Sequence, residues 1–137
     1  MDIRAITPTY AVSPQIALED LPAIKAAGFD TVICNRPDAE VPPDQQAAAL
    51  QAAVEAAGMT FVVNPVTHQG LDDAMVTLQS DAASHGKTLA YCASGTRSTI
   101  VWALGQAGHQ APDAIIAAAS VAGYDIAGLR SRLGEAD

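Results

Sequence analysis

Cysteine is scarce in this sequence. The chain holds two cysteines in 137 residues, Cys34 and Cys92, which are too few and too far apart for a disulfide scaffold or a Cys-x-x-Cys metal pair. The three histidines, His68, His85 and His109, also lack the spacing of metal ligands. We therefore expect neither a disulfide framework nor a metal site.

Positive charge and long apolar runs are scarce too. Seven basic residues face fifteen acidic ones, which gives a formal net charge of −8. This charge repels nucleic-acid phosphates and anionic lipid, so neither nucleic acid nor a membrane is expected as a partner. The most apolar tract, residues 114–123, is much shorter than the roughly 20 residues that span a bilayer, and residues 1–5 do not resemble a secretory signal. With reduced cysteines, these features predict a cytoplasmic protein.

Short β-branched runs alternate with longer segments of helical period. Strands are predicted at residues 31–34, 60–63 and 88–91, and helices at residues 18–27, 42–57, 71–82, around 100–104, 112–122 and 125–133. The tract 3–12 adds an edge strand or hairpin, because Pro8 confines it to the edge. The alternation predicts one α/β domain over residues 1–137, with three layers and a mostly parallel central sheet flanked by helices.

The segment from Cys92 to Ser98 combines four features of an anion site. A buried strand ends at Cys92, a small-residue loop with Gly95 follows, Arg97 comes next and a helix begins. Loop N–H groups and the partial charge of about half an electron at a helix N-terminus stabilise an anion. Arg97 adds a planar fork for an oxyanion, so the pattern predicts Cys92 as a thiolate nucleophile. The residues assigned to the anion-binding loop are Ala93, Ser94, Gly95, Thr96 and Ser98.

A purely structural role is the alternative for both cysteines. Cysteine is among the residues most often buried, and a strand end followed by a helix cap would also explain Cys92. The coincidence of strand, glycine loop, arginine and helix start favours function at Cys92. Cys34 lies inside an apolar strand, where core packing is favoured over a role as a resolving thiol.

The loop Tyr91–Ser98 resembles the active-site loop of single-domain rhodaneses and, more distantly, the phosphate loop of cysteine-dependent phosphatases. Together with Val12–Ile16, Ala26–Ile33 and Asn35–Asp38, it is similar to the phosphatase-like domain of the beta-lactamase-hydrolase-like protein family. This resemblance covers nearly the whole chain. It implies a dual-specificity-phosphatase-like fold and, for some members, sulfur transfer beside a persulfide dioxygenase partner.

The resemblance leaves two chemistries open. Tyrosine phosphatases place five residues between cysteine and arginine, whereas this loop places four, as many rhodaneses do. A shorter ring suits one sulfur atom better than a phosphoryl group, and a sulfur leaving group departs without a general acid. We therefore expect a sulfurtransferase that works through a Cys92 persulfide, needs no cofactor and takes sulfur from a thiol persulfide or thiosulfate. The alternatives are a phosphatase with a Cys92 phosphocysteine and a non-catalytic anion or persulfide sensor.

A phosphatase would also need a general acid. The candidates are Asp38, Asp72 and Asp73, each of which has a turn or helix-cap interpretation as well. His68, after the strand 60–63, is a further candidate.

Residues 93 and 36 bear on the charge of the substrate. Ala93 stands where relatives commonly have arginine, which weakens the attraction for a dianion and favours a glutathione-type or protein persulfide donor. Arg36 follows a parallel strand, where open α/β sheets bind ligands, and is a candidate to supply the missing charge. The alternative is a surface arginine that packs beside Pro37 or pairs with Asp38.

Overall fold

Five strands form one sheet in the computed structural model, which describes residues 2–67 and 70–134. The strands are β1 (Arg4–Thr7), β2 (Tyr10–Ser13), β3 (Thr31–Cys34), β4 (Thr60–Val63) and β5 (Thr88–Tyr91). Their order across the sheet is β1-β2-β5-β3-β4, with β1 antiparallel to β2 and the other pairs parallel. The last strand of the sequence therefore lies at the centre of the sheet, and Cys92 follows it directly.

The register of the parallel strands determines where the functional loops meet. Tyr91 pairs with Ser13 of β2 and with Cys34 of β3, and Cys34 pairs with Val63 of β4. The four parallel strands thus end at one level. The segments that follow them leave from the same edge of the sheet, which is where open α/β sheets bind their ligands.

Helices cover both faces of the sheet. They are α1 (Leu21–Ala26), α2 (Ala47–Ala56), α3 (Asp73–Ala83), α4 (Thr96–Gln106) and α5 (Pro112–Val121). Successive strand residues point to opposite faces: Val32 joins the core cluster under α1 and α2, whereas Ile33 joins Trp102 and Ile115 in the cluster under α3, α4 and α5. This arrangement confirms the predicted three-layer α/β fold.

Three predicted helices differ from the structure. In the segment 18–27, a 3₁₀ turn at Leu18–Asp20 comes first and α1 begins only at Leu21. The segment 42–57 contains a 3₁₀ turn at Pro43–Gln45 and an extended Gln46, so α2 begins only at Ala47. Asp38 supplies the missing cap, since its Oδ1 accepts a hydrogen bond from the Ala47 amide at 2.8 Å. The predicted helix 125–133 is a 3₁₀ segment, Ala127–Arg132.

The predicted N-terminal hairpin is confirmed, and β1 alone occupies the sheet edge on that side, because β2 pairs with both β1 and β5. Across residues 2–67 and 70–134, no helix combines the length and the apolar character needed to cross a lipid bilayer.

Candidate active site

The loop after β5 wraps around the sulfur of Cys92. Cys92 is fully buried, and the Gly95 amide donates a hydrogen bond to its Sγ atom at 3.1 Å. Gly95 adopts a left-handed conformation with φ of +97° and is the residue from which α4 begins. The left-handed turn aims an amide at the sulfur and places the sulfur at the positive end of a three-turn helix.

Hydroxyl groups hold this loop in shape. Thr99 Oγ1 donates to the Gly95 carbonyl at 2.8 Å, and Tyr124 Oη donates to the Ser94 carbonyl at 2.9 Å. Ser94 and Thr96 are exposed, with their side-chain oxygens 3.0 Å apart. Of the predicted loop residues, Gly95 therefore contacts the sulfur, whereas Ser94 and Thr96 lie on the exposed side of the loop.

Ser98 does not face the sulfur. It is fully buried, and its hydroxyl donates to Oδ1 of Asn35 at 2.8 Å. Ser98 lies in the first turn of α4, so the helical rotation carries its side chain beneath the loop. Its assignment to the anion-binding loop is therefore replaced by a supporting role under that loop.

Arg97 is held in place by Glu40, a residue that was not predicted from the sequence. Its Nη1 and Nη2 atoms donate to Oε2 and Oε1 of Glu40 at 2.9 and 2.8 Å, and Nη1 also donates to the Val66 carbonyl at 2.9 Å. The two side chains are only 24% and 29% exposed, and a bidentate pair of this kind is geometrically specific. The Glu40 hydrogen bonds, with a smaller contribution from nearby Cys92, raise the pKa of Arg97.

Glu40 also binds Arg36. Arg36 Nε donates to Oε1 of Glu40 at 3.1 Å, so Arg36 pairs with Glu40 and not with Asp38. Hydrogen bonds from Arg97 and then Arg36 lower the pKa of Glu40 to about 2. Two guanidinium groups and one carboxylate give this triad a formal charge of +1. Glu40 could have been found from its place in the loop after β3, which leaves the same edge of the sheet as Cys92.

The predicted general acids have other structural roles. Asp38 caps α2, Asp72 Oδ1 caps α3 by accepting from the Met75 amide at 2.9 Å, and Asp73 is exposed in the first turn of α3. His68 lies outside the described residues. Ala93 is exposed and brings no charge to the loop.

Cys34 is part of the core. It is buried among the apolar residues beneath α1 and α2, and its Sγ donates to the Arg36 carbonyl at 3.3 Å. Burial raises the pKa of Cys34, which keeps the thiol protonated. These observations favour the packing interpretation of Cys34.

A buried polar network supports the loop from below. Asn35 Nδ2 donates to Oε1 of Gln79 at 2.9 Å and to the Asn64 carbonyl at 2.8 Å, and Asn35 Oδ1 accepts from Gln79 and from Ser98. The Tyr10 hydroxyl closes the network by donating to the Ser98 carbonyl at 2.8 Å and accepting from Gln79 at 3.0 Å. The network joins β2, β3 and α3 to the first turn of α4.

Replacing Asn35 by leucine is expected to lower the free energy of unfolding by about 3 kcal/mol or more. The substitution removes four hydrogen bonds. It leaves the buried Ser98 hydroxyl without its acceptor and takes two of the four hydrogen bonds from the buried Gln79 amide, which keeps those to Tyr10 and Asn64. Urea unfolding measures the change. Gln110→Ala removes an exposed amide contact with Gln106 and should change stability by no more than about 0.5 kcal/mol. Equal values for the two variants would contradict the prediction.

Comparison with known proteins decides the family. The sequence profile of the phosphatase-like domain of beta-lactamase hydrolase-like proteins matches residues 2–109. The chain belongs to this family. The beta-lactamase hydrolase-like protein of Agrobacterium fabrum is 35% identical over 101 residues, which are 72% of this chain and 23% of that protein. The chain therefore spans about a quarter of the relative's length, and only the phosphatase-like domain is compared.

Solved structures with phosphatase-like folds are similar to this domain. A candidate phosphatase from Neisseria meningitidis has a TM-score of 0.84 and 32% identity, with 100% of this chain and 99% of that chain covered. P. aeruginosa TpbA, solved in complex with pTyr, has a TM-score of 0.60 and 18% identity, with 96% of this chain and 90% of that chain covered. The second likeness concerns the fold alone. Together they establish an enzyme-like phosphatase fold around the Cys92 loop.

Proposed function

We propose that this domain transfers sulfane sulfur through a persulfide on Cys92. The proposal rests on the hydrogen bonds that occupy the nearby carboxylates. Glu40 is ionised and bound by two arginines, while Asp38 and Asp72 cap helices. Hydrogen bonds therefore occupy three carboxylates that could otherwise protonate an oxygen leaving group, which favours a leaving group that departs as a thiolate.

The reaction has two balanced displacement steps. The Cys92 thiolate attacks the outer sulfur of a persulfide R–S–SH, the S–S bond breaks, and the electron pair leaves on RS⁻ while Cys92–S–SH forms. An acceptor thiolate then attacks the outer sulfur of Cys92–S–SH, which releases a new persulfide and restores the Cys92 thiolate. Neither step requires an outside oxidant or reductant.

The loop supplies electrostatic stabilisation for both steps. The Gly95 amide lies 3.1 Å from the Cys92 sulfur. This sulfur carries the negative charge as the nucleophile of the first step and again as the leaving group of the second. The N-terminus of α4 favours negative charge at this point. Arg97, held in place by Glu40, adds a fixed positive charge beside the sulfur.

The charge of the site favours a thiol persulfide over a dianion. The triad of Arg36, Arg97 and Glu40 carries +1, which the Cys92 thiolate neutralises, and Ala93 adds nothing. A dianion such as thiosulfate would then gain little attraction in a chain of net charge −8. A small-molecule thiol persulfide is the donor class that fits, and the family resemblance suggests a persulfide dioxygenase as the enzyme that consumes the product.

The test is direct transfer of sulfur to the protein. Incubation with glutathione persulfide or thiosulfate, followed by intact-mass measurement, should add about 32 Da for one sulfur. Peptide mass should place the sulfur on Cys92, and cyanide or a thiol should remove it with turnover. Cys92→Ala should take up none. If wild-type protein takes up no sulfur from any donor, sulfur transfer is refuted.

Phosphoester hydrolysis is the second candidate, and the comparisons favour it: the family is described as phosphatase-like, and the neighbours are phosphatases. Cys92 would accept the phosphoryl group as a phosphocysteine and Arg97 would bind its oxygens. Hydrolysis of an aryl phosphate in the same preparations, abolished by Cys92→Ser, would support it. Saturable binding of phosphate or persulfide without either turnover would instead indicate a sensor.

A further inference from the structure

A cavity lies beside the cysteine loop. It has a volume of about 220 Å³ and is bounded by α4, by the segment after β4 and by the 3₁₀ segment Ala127–Arg132. Arg97 lines one side, and Arg132 lines another. Arg97 lies in the first turn of α4, the helix that follows the Cys92 loop, so the cavity lies next to the reactive site.

Arg132 differs from the other arginines of the chain. Arg4, Arg36, Arg97 and Arg130 each form an ion pair, whereas Arg132 forms none with any residue in 2–67 or 70–134. No acidic residue is among the described residues that line the cavity. Arg132 is exposed. In a chain of net charge −8, an arginine that has no ion pair with a described residue and lies at the wall of a cavity is suited to binding an anion.

Apart from Thr67, the described remainder of the wall is apolar. Val66, Leu71 and Ile100 line the space together with Arg97 and Arg132, and Val66 is fixed by the hydrogen bond from Arg97 to its carbonyl. Such a wall accommodates a short aliphatic chain, and the guanidinium accommodates a group at the end of that chain. A carboxylate matches the planar fork of arginine.

We propose that Arg132 is a specificity-determining residue that binds a carboxylate carried on a short aliphatic chain by the molecule that reacts with Cys92. The identity of that molecule as a sulfur donor or acceptor rests on the proposed function. The anion subsite itself depends only on the cavity and on Arg132, so it is tested without turnover.

The experiment measures reaction of Cys92 with carboxyalkyl methanethiosulfonates of two to five methylene groups and with the matching carboxamides. The Cys92 thiolate attacks the sulfenyl sulfur of each reagent, the S–S bond breaks, methanesulfinate leaves and a mixed disulfide remains. Mass spectrometry with peptide mapping separates this product from reaction at Cys34. In wild-type protein, the carboxylate should react about five-fold faster than the carboxamide at the best chain length. The preference should fall as salt is added.

Arg132→Gln should reduce the preference to about one-fold, and Arg132→Lys should keep part of it. Arg130→Gln is the matched control, because Arg130 lies in the same 3₁₀ segment but pairs with Asp113; it should keep the wild-type preference.

An unchanged carboxylate preference in Arg132→Gln, or no preference in wild type at any chain length, would overturn the subsite. If wild-type protein takes up sulfur but Arg132→Gln keeps the carboxylate preference, the subsite alone is refuted. If the preference depends on Arg132 but no sulfur is taken up, sulfur transfer alone is refuted. No reaction at Cys92 with any reagent counts against both.

Discussion

Replacing Gly95 by alanine is expected to lower Cys92-dependent turnover about 100-fold or more. Gly95 has φ of +97°, and a Cβ there would overlap the hydroxyl of Tyr124 and lie 2.9 Å from its Cζ. Tyr124 donates to the Ser94 carbonyl, so the clash falls on the contact that shapes the loop. The loop would relax by turning the Gly95 amide away from the Cys92 sulfur.

Gly28→Ala separates this effect from simple backbone strain. Gly28 has φ of +92°, and a Cβ there meets nothing within 4 Å. Both variants place a side chain in the left-handed region, at a cost of roughly 1–2 kcal/mol. Urea unfolding should show a loss of stability in both variants, and a larger one in Gly95→Ala because of the clash with Tyr124. Initial rates of sulfur transfer, measured where both variants are folded, should fall in Gly95→Ala alone. Wild-type turnover in Gly95→Ala would mean that the amide contact with sulfur is not needed.

Local sequence patterns were sufficient to predict the sheet and the cysteine loop. The β-branched run 31–34 and the run 88–91 lie between helical segments, and parallel strands with helical crossovers follow from that alternation. Cys92, Gly95 and Arg97 lie within one short loop, so their juxtaposition depends little on the rest of the fold. The structure brings the Gly95 amide to the Cys92 sulfur, whereas the Arg97 guanidinium is bound to Glu40.

Contacts between distant parts of the chain were not predictable in the same way. The pair of Glu40 and Arg97 joins residues 57 apart in the sequence, and it exists because β3 and β5 are neighbours in the sheet. The start of α2 at Ala47 depends on the carboxylate of Asp38, which no helical period reveals. Ser98 turns inward because its partner Asn35 follows another strand.

Glu40→Gln is the second change with a large expected effect. It removes the carboxylate charge and one strong acceptor from Arg97, so the formal charge of the triad rises from +1 to +2. We expect sulfur-transfer turnover to fall about 10-fold, because the guanidinium is less firmly positioned. Binding of sulfate or thiosulfate dianions should at the same time become about five-fold tighter, because the extra positive charge attracts them.

Kinetics and calorimetric titration with sulfate measure the two effects. Asp113→Asn is the control, since it removes the counter-charge of Arg130 outside the site, and it should change neither quantity. A Glu40→Gln protein with both slower turnover and weaker sulfate binding would show that Glu40 acts through folding and not through charge.

The pH dependence of stability gives Glu40 a separate signature. Its pKa is lowered from 4.5 to about 2 by Arg97 and Arg36, so the unfolded chain binds the proton more readily than the folded one. The stabilisation by the carboxylate is therefore fully present above about pH 5 and is lost as the pH falls toward 2. The difference in unfolding free energy between wild type and Glu40→Gln should be constant from about pH 5 to pH 8 and should shrink below that range. A difference that stays constant down to about pH 3 would mean that the arginines do not hold Glu40 as the structure shows.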